Sequence, residues 1–151
     1  MQGFTLLELL LVLGIIAMTA ALTIPRLQPS SVALLKAEAR TLTAMLNNAR
    51  RMAMIHGTSY KITMHPLPED VPPSEFEPIK NTKHDWYSRG ATLKCDYAGS
   101  DDTLENEKCE INFYPEGSAD GIEIMLVRDE REKLITVSAL NGRVQNVVIE
   151  E

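Results

Sequence analysis

The segment from Phe4 to Ile24 reads Phe-Thr-Leu-Leu-Glu-Leu-Leu-Leu-Val-Leu-Gly-Ile-Ile-Ala-Met-Thr-Ala-Ala-Leu-Thr-Ile, and Glu8 is its one charged side chain. At about 1.5 Å per residue, a helix of this length measures roughly 30 Å, the thickness of a bilayer's hydrocarbon core. A core helix at the extreme start of a chain is hard to cover. A cleaved secretory signal would carry a basic flank, a shorter apolar run and a small-x-small cleavage site. Met1-Gln2-Gly3 supplies no base, and Ala17, Ala20 and Ala21 only approach such a site. The segment therefore reads as a transmembrane anchor over 4–24. A carboxylate inside an apolar span costs about 2.5–3.5 kcal/mol on insertion scales, so Glu8 needs a partner or a task. Lying one turn from the start, it could also reach back to the headgroups.

Gly3-Phe4-Thr5-Leu6-Leu7-Glu8, followed directly by an uncharged span, resembles the processing site of type IV pilins and type II secretion pseudopilins. The resemblance implies a prepilin-type leader at 1–3, cleavage between Gly3 and Phe4 by a prepilin peptidase, and N-methylation of Phe4. It also makes Glu8 the glutamate that neutralises the Phe4 amine of an adjacent subunit. Two opposite charges that meet only in the correct register specify assembly more than they stabilise it.

After the anchor, the 151-residue chain has length for one ordinary domain. Its formal charge of −6 does not suit phosphate-backbone binding, so nucleic acid is a disfavoured partner. No Lys or Arg precedes Arg26, whereas Arg26, Lys36 and Arg40 follow the span. Counted alone, those charges would hold the C-terminal part in the cytoplasm; the resemblance implies the reverse. The two cysteines, Cys95 and Cys109, either close one loop or are two buried thiols. A bridge would stabilise by about 3 kcal/mol on the chain-entropy model. It would also require an oxidising compartment, in agreement with a periplasmic domain. His56, His65 and His84 have no zinc spacing.

Pro25 matches the helix-bending proline of pilin-like chains, and Pro29 is a further break, after which Ser30 or Ser31 could cap a renewed helix. From Val32 to His56, Leu35, Ala39, Leu42, Leu46, Ala49 and Ala53 recur in steps of three and four, with Val32, Met45 and Met52 widening the stripe. That pattern predicts an amphipathic helix within 25–57, ending at Gly57. Residues 58–64 alternate as a strand. Pro66, Pro68, Pro72, Pro73 and Pro78 then make 65–85 a loop. Strands are expected at 86–89, 91–97, 110–114, 122–127, 134–138 and 143–149. The turns are 98–102, 115–121, a charged one at 129–132, and an Asn141-Gly142 hairpin. Asp101, Asp102, Glu105, Glu107 and Glu110 lack EF-hand spacing and read as solvated acids.

The order Phe-x-Pro-x-Gly-Ser at 113–118, two strands and Asn-Gly-Arg-Val at 141–144 resembles the C-terminal domain of the GspH/FimT family of minor pseudopilins and minor pilins. The expected fold is α+β and pilin-like: a long, bent N-terminal helix on an antiparallel β domain over 58–151, with seven or eight strands in two sheets. The function so implied is that of an H-type minor pseudopilin of type II secretion. It would be a single-pass inner-membrane protein with its β domain in the periplasm, assembling into the pseudopilus. Its partners would be major and minor pseudopilins, the prepilin peptidase and the inner-membrane secretion platform, with exported proteins and the outer-membrane channel as further candidates. The alternative is a minor type IV pilin for adhesion or DNA uptake. The DNA-binding relatives present Gly-Arg-x-Arg, and here Gln145 stands where the second arginine would be. No nucleophile, phosphate-loop, cofactor or metal motif is present, so no catalytic residue is assigned.

Overall fold

The computed structural model describes residues 5–23, 30–67, 83–100 and 102–148, with side chains 20–23 and 148 left out. These fall into two units, divided at Ser30. The first contains helix α1 (Leu6–Thr23). The second contains helix α2 (Ser31–His56) and strands β1 (Tyr60–His65), β2 (Asp85–Tyr87), β3 (Thr92–Tyr97), β4 (Thr103–Glu105), β5 (Cys109–Phe113), β6 (Ile122–Arg128), β7 (Arg131–Val137) and β8 (Val144–Val148). The Pro25 bend and the junction of the two helices lie in 24–29, outside the described residues, as do Gly3 and Phe4.

The second unit is built on the stripe expected of α2. Leu35, Ala39, Leu42, Leu46, Ala49 and Ala53 are all buried, and Gly57 ends the helix at φ +64° with its amide on the Ala53 carbonyl, 3.0 Å away. Two sheets cover the stripe, in the orders β2-β1-β5 and β4-β3-β6-β7-β8. Their strands alternate inward and outward. Ile62 and Met64 of β1, Leu93 and Cys95 of β3, Ile111 and Phe113 of β5, Ile122, Ile124 and Leu126 of β6, and Ile135 and Val137 of β7 are buried with the stripe in one core. A long helix on largely antiparallel sheets is the pilin-like α+β architecture.

One pairing departs from the all-antiparallel expectation. β1 and β2 are parallel, with Thr63 opposite Asp85 and His65 opposite Tyr87. Parallel neighbours need a crossover of about a dozen residues or more, and the proline-rich connection from His65 to Asp85 is that crossover. β4 is a strand that no sequence pattern marks: residues 103–105 pair with β3, Cys95 opposite Leu104.

The turn joining β6 to β7 is tighter than expected. The charged turn shrinks to Asp129-Glu130, and Arg131 already pairs with Arg128. Both turn residues are left-handed, φ +49° and +63°, the type I′ geometry that best suits Asn-Gly. Asn141-Gly142 joins β7 to β8 as the hairpin signal predicts, within a loop longer than two residues. The Gly142 amide bonds to the Ser138 carbonyl at 2.8 Å, and the Arg143 amide bonds to Asn141 Oδ1 at 3.0 Å. Gly142 is required there: its φ is +58°, and a Cβ would come within 2.6 Å of the Gly117 carbonyl. A left-handed conformation costs an ordinary residue roughly 1–2 kcal/mol. Replacing Asp129-Glu130 by Asn-Gly is therefore expected to raise stability by about 1 kcal/mol, net of the entropy of glycine in the unfolded chain. A higher urea midpoint at unchanged slope checks it.

Candidate functional site

Of the residues that the sequence singles out, Glu8 and the two cysteines are placed. Thr5 stands before the first turn of α1, and the Glu8 amide donates to its carbonyl, 3.1 Å, and to its Oγ1, 3.3 Å. Thr5-Leu6-Leu7-Glu8 is thus the forward half of a capping box, and the Glu8 carboxylate lies where the helix dipole favours negative charge. The Ser/Thr-x-x-Glu spacing was there to be read, and it gives Glu8 a local task besides any partner.

The rest of α1 has no polar face. Leu6, Leu7, Leu9, Leu10, Leu11, Val12, Leu13, Ile15, Ile16 and Met18 each expose between 46 % and 78 % of their surface. Thr19 turns its hydroxyl back onto the carbonyls of Ile15 and Ile16, at 3.0 and 2.9 Å. A helix apolar all round is at home in lipid or among other apolar helices. Among the described residues no helix is both long and apolar enough to cross a membrane. The described side chains of α1 stop at Thr19, short of the span expected over 4–24.

Cys95 on β3 and Cys109 on β5 are disulfide-bonded, with Cα atoms 6.5 Å apart. Because β3 and β5 belong to different sheets, the bond ties the two sheets together inside the core, where both cysteines are fully buried.

A buried ion pair was not foreseen. Glu38 falls on the core side of α2, 5 % exposed, between the stripe residues Leu35 and Leu42. Its Oε1 accepts from Arg128 Nη2 at 3.2 Å and from the Arg89 amide at 3.1 Å, while Oε2 has no hydrogen-bond partner among the described residues. Arg128 also donates to the carbonyls of Gly90 and Arg89. Burial pushes the Glu38 carboxyl above the usual carboxylate range, and the Arg128 guanidinium and Arg89 amide only partly oppose it. A cavity of about 100 Å³ lies over this pair, lined by Leu34, Thr41, Trp86 and Tyr87 among others. The warning in the sequence was a glutamate three residues from Leu35 and four from Leu42 on the buried face.

Two of the histidines and several of the acids are tied up locally. His65 Nε2 lies 3.2 Å from Asp85 Oδ1 and its ring stacks on Tyr87 at 4.5 Å; His84 Nδ1 faces the Lys61 carbonyl at 3.3 Å. Glu105 pairs with Lys94, and Glu110 with Lys61 and Lys108, which hold its carboxyl below the usual range. Asp120 holds the Asn112 amide and the Tyr114 hydroxyl at 3.0 and 2.9 Å. These groups support the fold. The chain matches no family model, no curated protein and no solved structure.

Two outcomes follow from the two buried features. Replacing both cysteines by serine is expected to cost about 2–4 kcal/mol, read from the denaturant midpoint. A folded-state carboxyl with a raised pKa binds its proton more tightly than the unfolded chain does. Its stabilising contribution is complete below the unfolded value and is lost as pH rises through the folded one. The stability of the wild type minus that of Glu38→Gln should therefore fall as pH is raised above the ordinary carboxylate range. Denaturation of both proteins across pH measures it.

Proposed function

We propose that the chain is a minor pseudopilin of the type II secretion class, anchored in the inner membrane by its N-terminal helix and assembling through that helix into a periplasmic pseudopilus. The observation that carries the proposal is α1 itself, a helix with exposed apolar side chains all round and one carboxylate in its first turn. Such a surface is stable only against lipid or like helices.

The Gly3-Phe4 junction supplies the complementary charge. Cleavage there would leave the Phe4 amine at the edge of the hydrocarbon, and Glu8 of a neighbouring subunit is its counter-ion. The buried disulfide suits an oxidising periplasm. The pilin-like architecture of the second unit suits a subunit whose β domain faces outward from a bundle of helices. The acidic charge and Gln145 favour secretion over DNA uptake.

The proposal requires that protein isolated from its native membrane begin with a methylated Phe4, as intact mass and N-terminal sequencing would report. Glu8→Gln should leave the domain folded and reduce incorporation into the filament at least about tenfold, because one buried charge then lacks its partner. Retention of Met1, or filament incorporation indifferent to Glu8, would sink it.

A further inference from the structure

The buried Glu38–Arg128 pair is left with hydrogen-bonding capacity at both ends. Glu38 Oε1 is taken up by Arg128 Nη2 and the Arg89 amide, but Oε2 has no partner among the described residues. The nearby Ala91 amide is committed to Ser88 Oγ at 3.0 Å. Arg128 gives its Nε and Nη2 hydrogens to the Gly90 carbonyl, the Arg89 carbonyl and Glu38, and nothing among the described residues accepts from Nη1. Gly90 is what seats the guanidinium: its φ is +113°, and a Cβ there would collide with Arg128 Nη2. A buried acceptor without a donor is costly, and a bound group that completes it is the ordinary reason for one. Both residues line the cavity of about 100 Å³. Its lining runs from exposed Leu34, Ala37, Thr41 and Arg89 to buried Trp86 and Glu38, so it opens to solvent along α2 and ends on the pair.

The charges select what can enter. Arg89 and Arg128 already outnumber the one carboxylate of the lining, so a third cation is repelled. A carboxylate would be drawn to the arginines but would meet Glu38 Oε2, which has a proton to give only in its acid form. A hydroxyl both gives and accepts, yet its single oxygen would have to serve Oε2 and Nη1 together. About three waters would fill the space at roughly 30 Å³ each, but a buried water needs several polar partners. Leu34 and Ala37 offer none, and the Thr41 hydroxyl is spent on the Ala37 carbonyl at 3.0 Å. A primary carboxamide carries its donor and its acceptor on separate atoms, and its stem is apolar. Its NH2 suits the ionised Oε2 while its carbonyl suits Nη1. When Glu38 holds a proton, the carbonyl accepts from Oε2 instead. Burial raises the Glu38 carboxyl above the usual range, so a ligand that matches both forms stays bound while Glu38 titrates.

We propose that this cavity binds a primary carboxamide, presented as the Asn or Gln side chain of a protein partner. A space of about 100 Å³ suits one small side chain, and its opening along α2 leaves the partner's backbone outside. The site lies wholly in the second unit, so the inference does not depend on the secretion reading. Within that reading the partner is a neighbouring pilin-like subunit of different sequence.

Trp86 is the single tryptophan of the chain and stands in the lining, so its emission reports occupancy. The test uses the full-length chain in detergent micelles and acrylamide, which is both a primary carboxamide and a tryptophan quencher. The expected result is an intensity that falls hyperbolically to a plateau while the lifetime of the remaining emission is unchanged. Propionamide should reverse the loss, and propionate and 1-propanol should not. Glutamine or asparagine blocked as the N-acetyl N′-methylamide should reverse it as well, and alanine blocked in the same way should not. Glu38→Gln should weaken acrylamide binding at least about tenfold, because its NH2 would replace the free acceptor while its carbonyl keeps the Arg128 contact. The wild-type competition reads the site even where that variant fails to fold. Intensity and lifetime falling together in proportion to acrylamide, indifferent to propionamide, overturn the site. Equal reversal by 1-propanol or propionate overturns the carboxamide as its ligand. Reversal by propionamide but by neither blocked glutamine nor blocked asparagine overturns the protein partner.

Discussion

The folded unit depends on covering one stripe of α2. The helix is long, 26 residues, and no single small sheet could bury Leu35 at one end and Ala53 at the other. At about 1.5 Å per residue, the distance between those positions is close to 27 Å. Two sheets share the task, one built from β1, β2 and β5 and the other from β3, β4 and the consecutive β6, β7 and β8. That division creates a weakness, because two separate sheets can slide or part. The Cys95–Cys109 bond crosses the seam and removes that freedom. Loop-closure entropy accounts for its stabilisation of the fold, but its position gives it a second effect, which is to fix how the two covers sit over one helix.

Glu38 is the exception within the same surface. A leucine at that position would have extended the apolar stripe. Instead a carboxylate, with Arg128 from β6 and the Arg89 amide, forms a polar contact at the edge of the core. Buried ion pairs are weak sources of stability, because desolvation offsets much of their attraction. Their best-attested use is to fix register, and the geometry here suits that use. Arg128 sits at the last residue of β6, next to the tight Asp129-Glu130 turn. A one-residue slip of β6 would turn Arg128 away from α2 and leave the buried carboxylate with no guanidinium.

The stripe on α2 was legible because helical periodicity is local: six positions set by steps of three and four need no knowledge of what covers them. The β6 and β7 strands were legible for the same reason, with Glu123 exposed between buried Ile122 and Ile124. What escaped was set by contacts distant in sequence. Nothing near Leu104 marks it as a strand residue until Cys95 lies opposite. The parallel β1–β2 pair was hidden because prolines were read as excluding structure, when a long connection is what parallel strands require. The Asn141-Gly142 hairpin was legible and does join β7 to β8, but the close approach of Gly142 to the Gly117 carbonyl was not. At the site, the Thr5-x-x-Glu8 spacing was local and readable, whereas the Glu38–Arg128 pair joins residues ninety apart and could not be read from either segment alone.

Two surfaces are left uncovered by the described chain, and they are of opposite kinds. α1 offers apolar area with its backbone fully bonded, so it gains from any apolar medium and selects poorly among neighbours. The β8 edge offers unpaired amides and carbonyls on a strand whose face is already packed, so it gains only from a backbone presented at the right height and direction. The described surface thus divides between a helix of nearly uniform apolar composition and a β domain in which three of the four sheet edges are closed by side chains, shortened or charged, leaving β8 as the long, uncharged one.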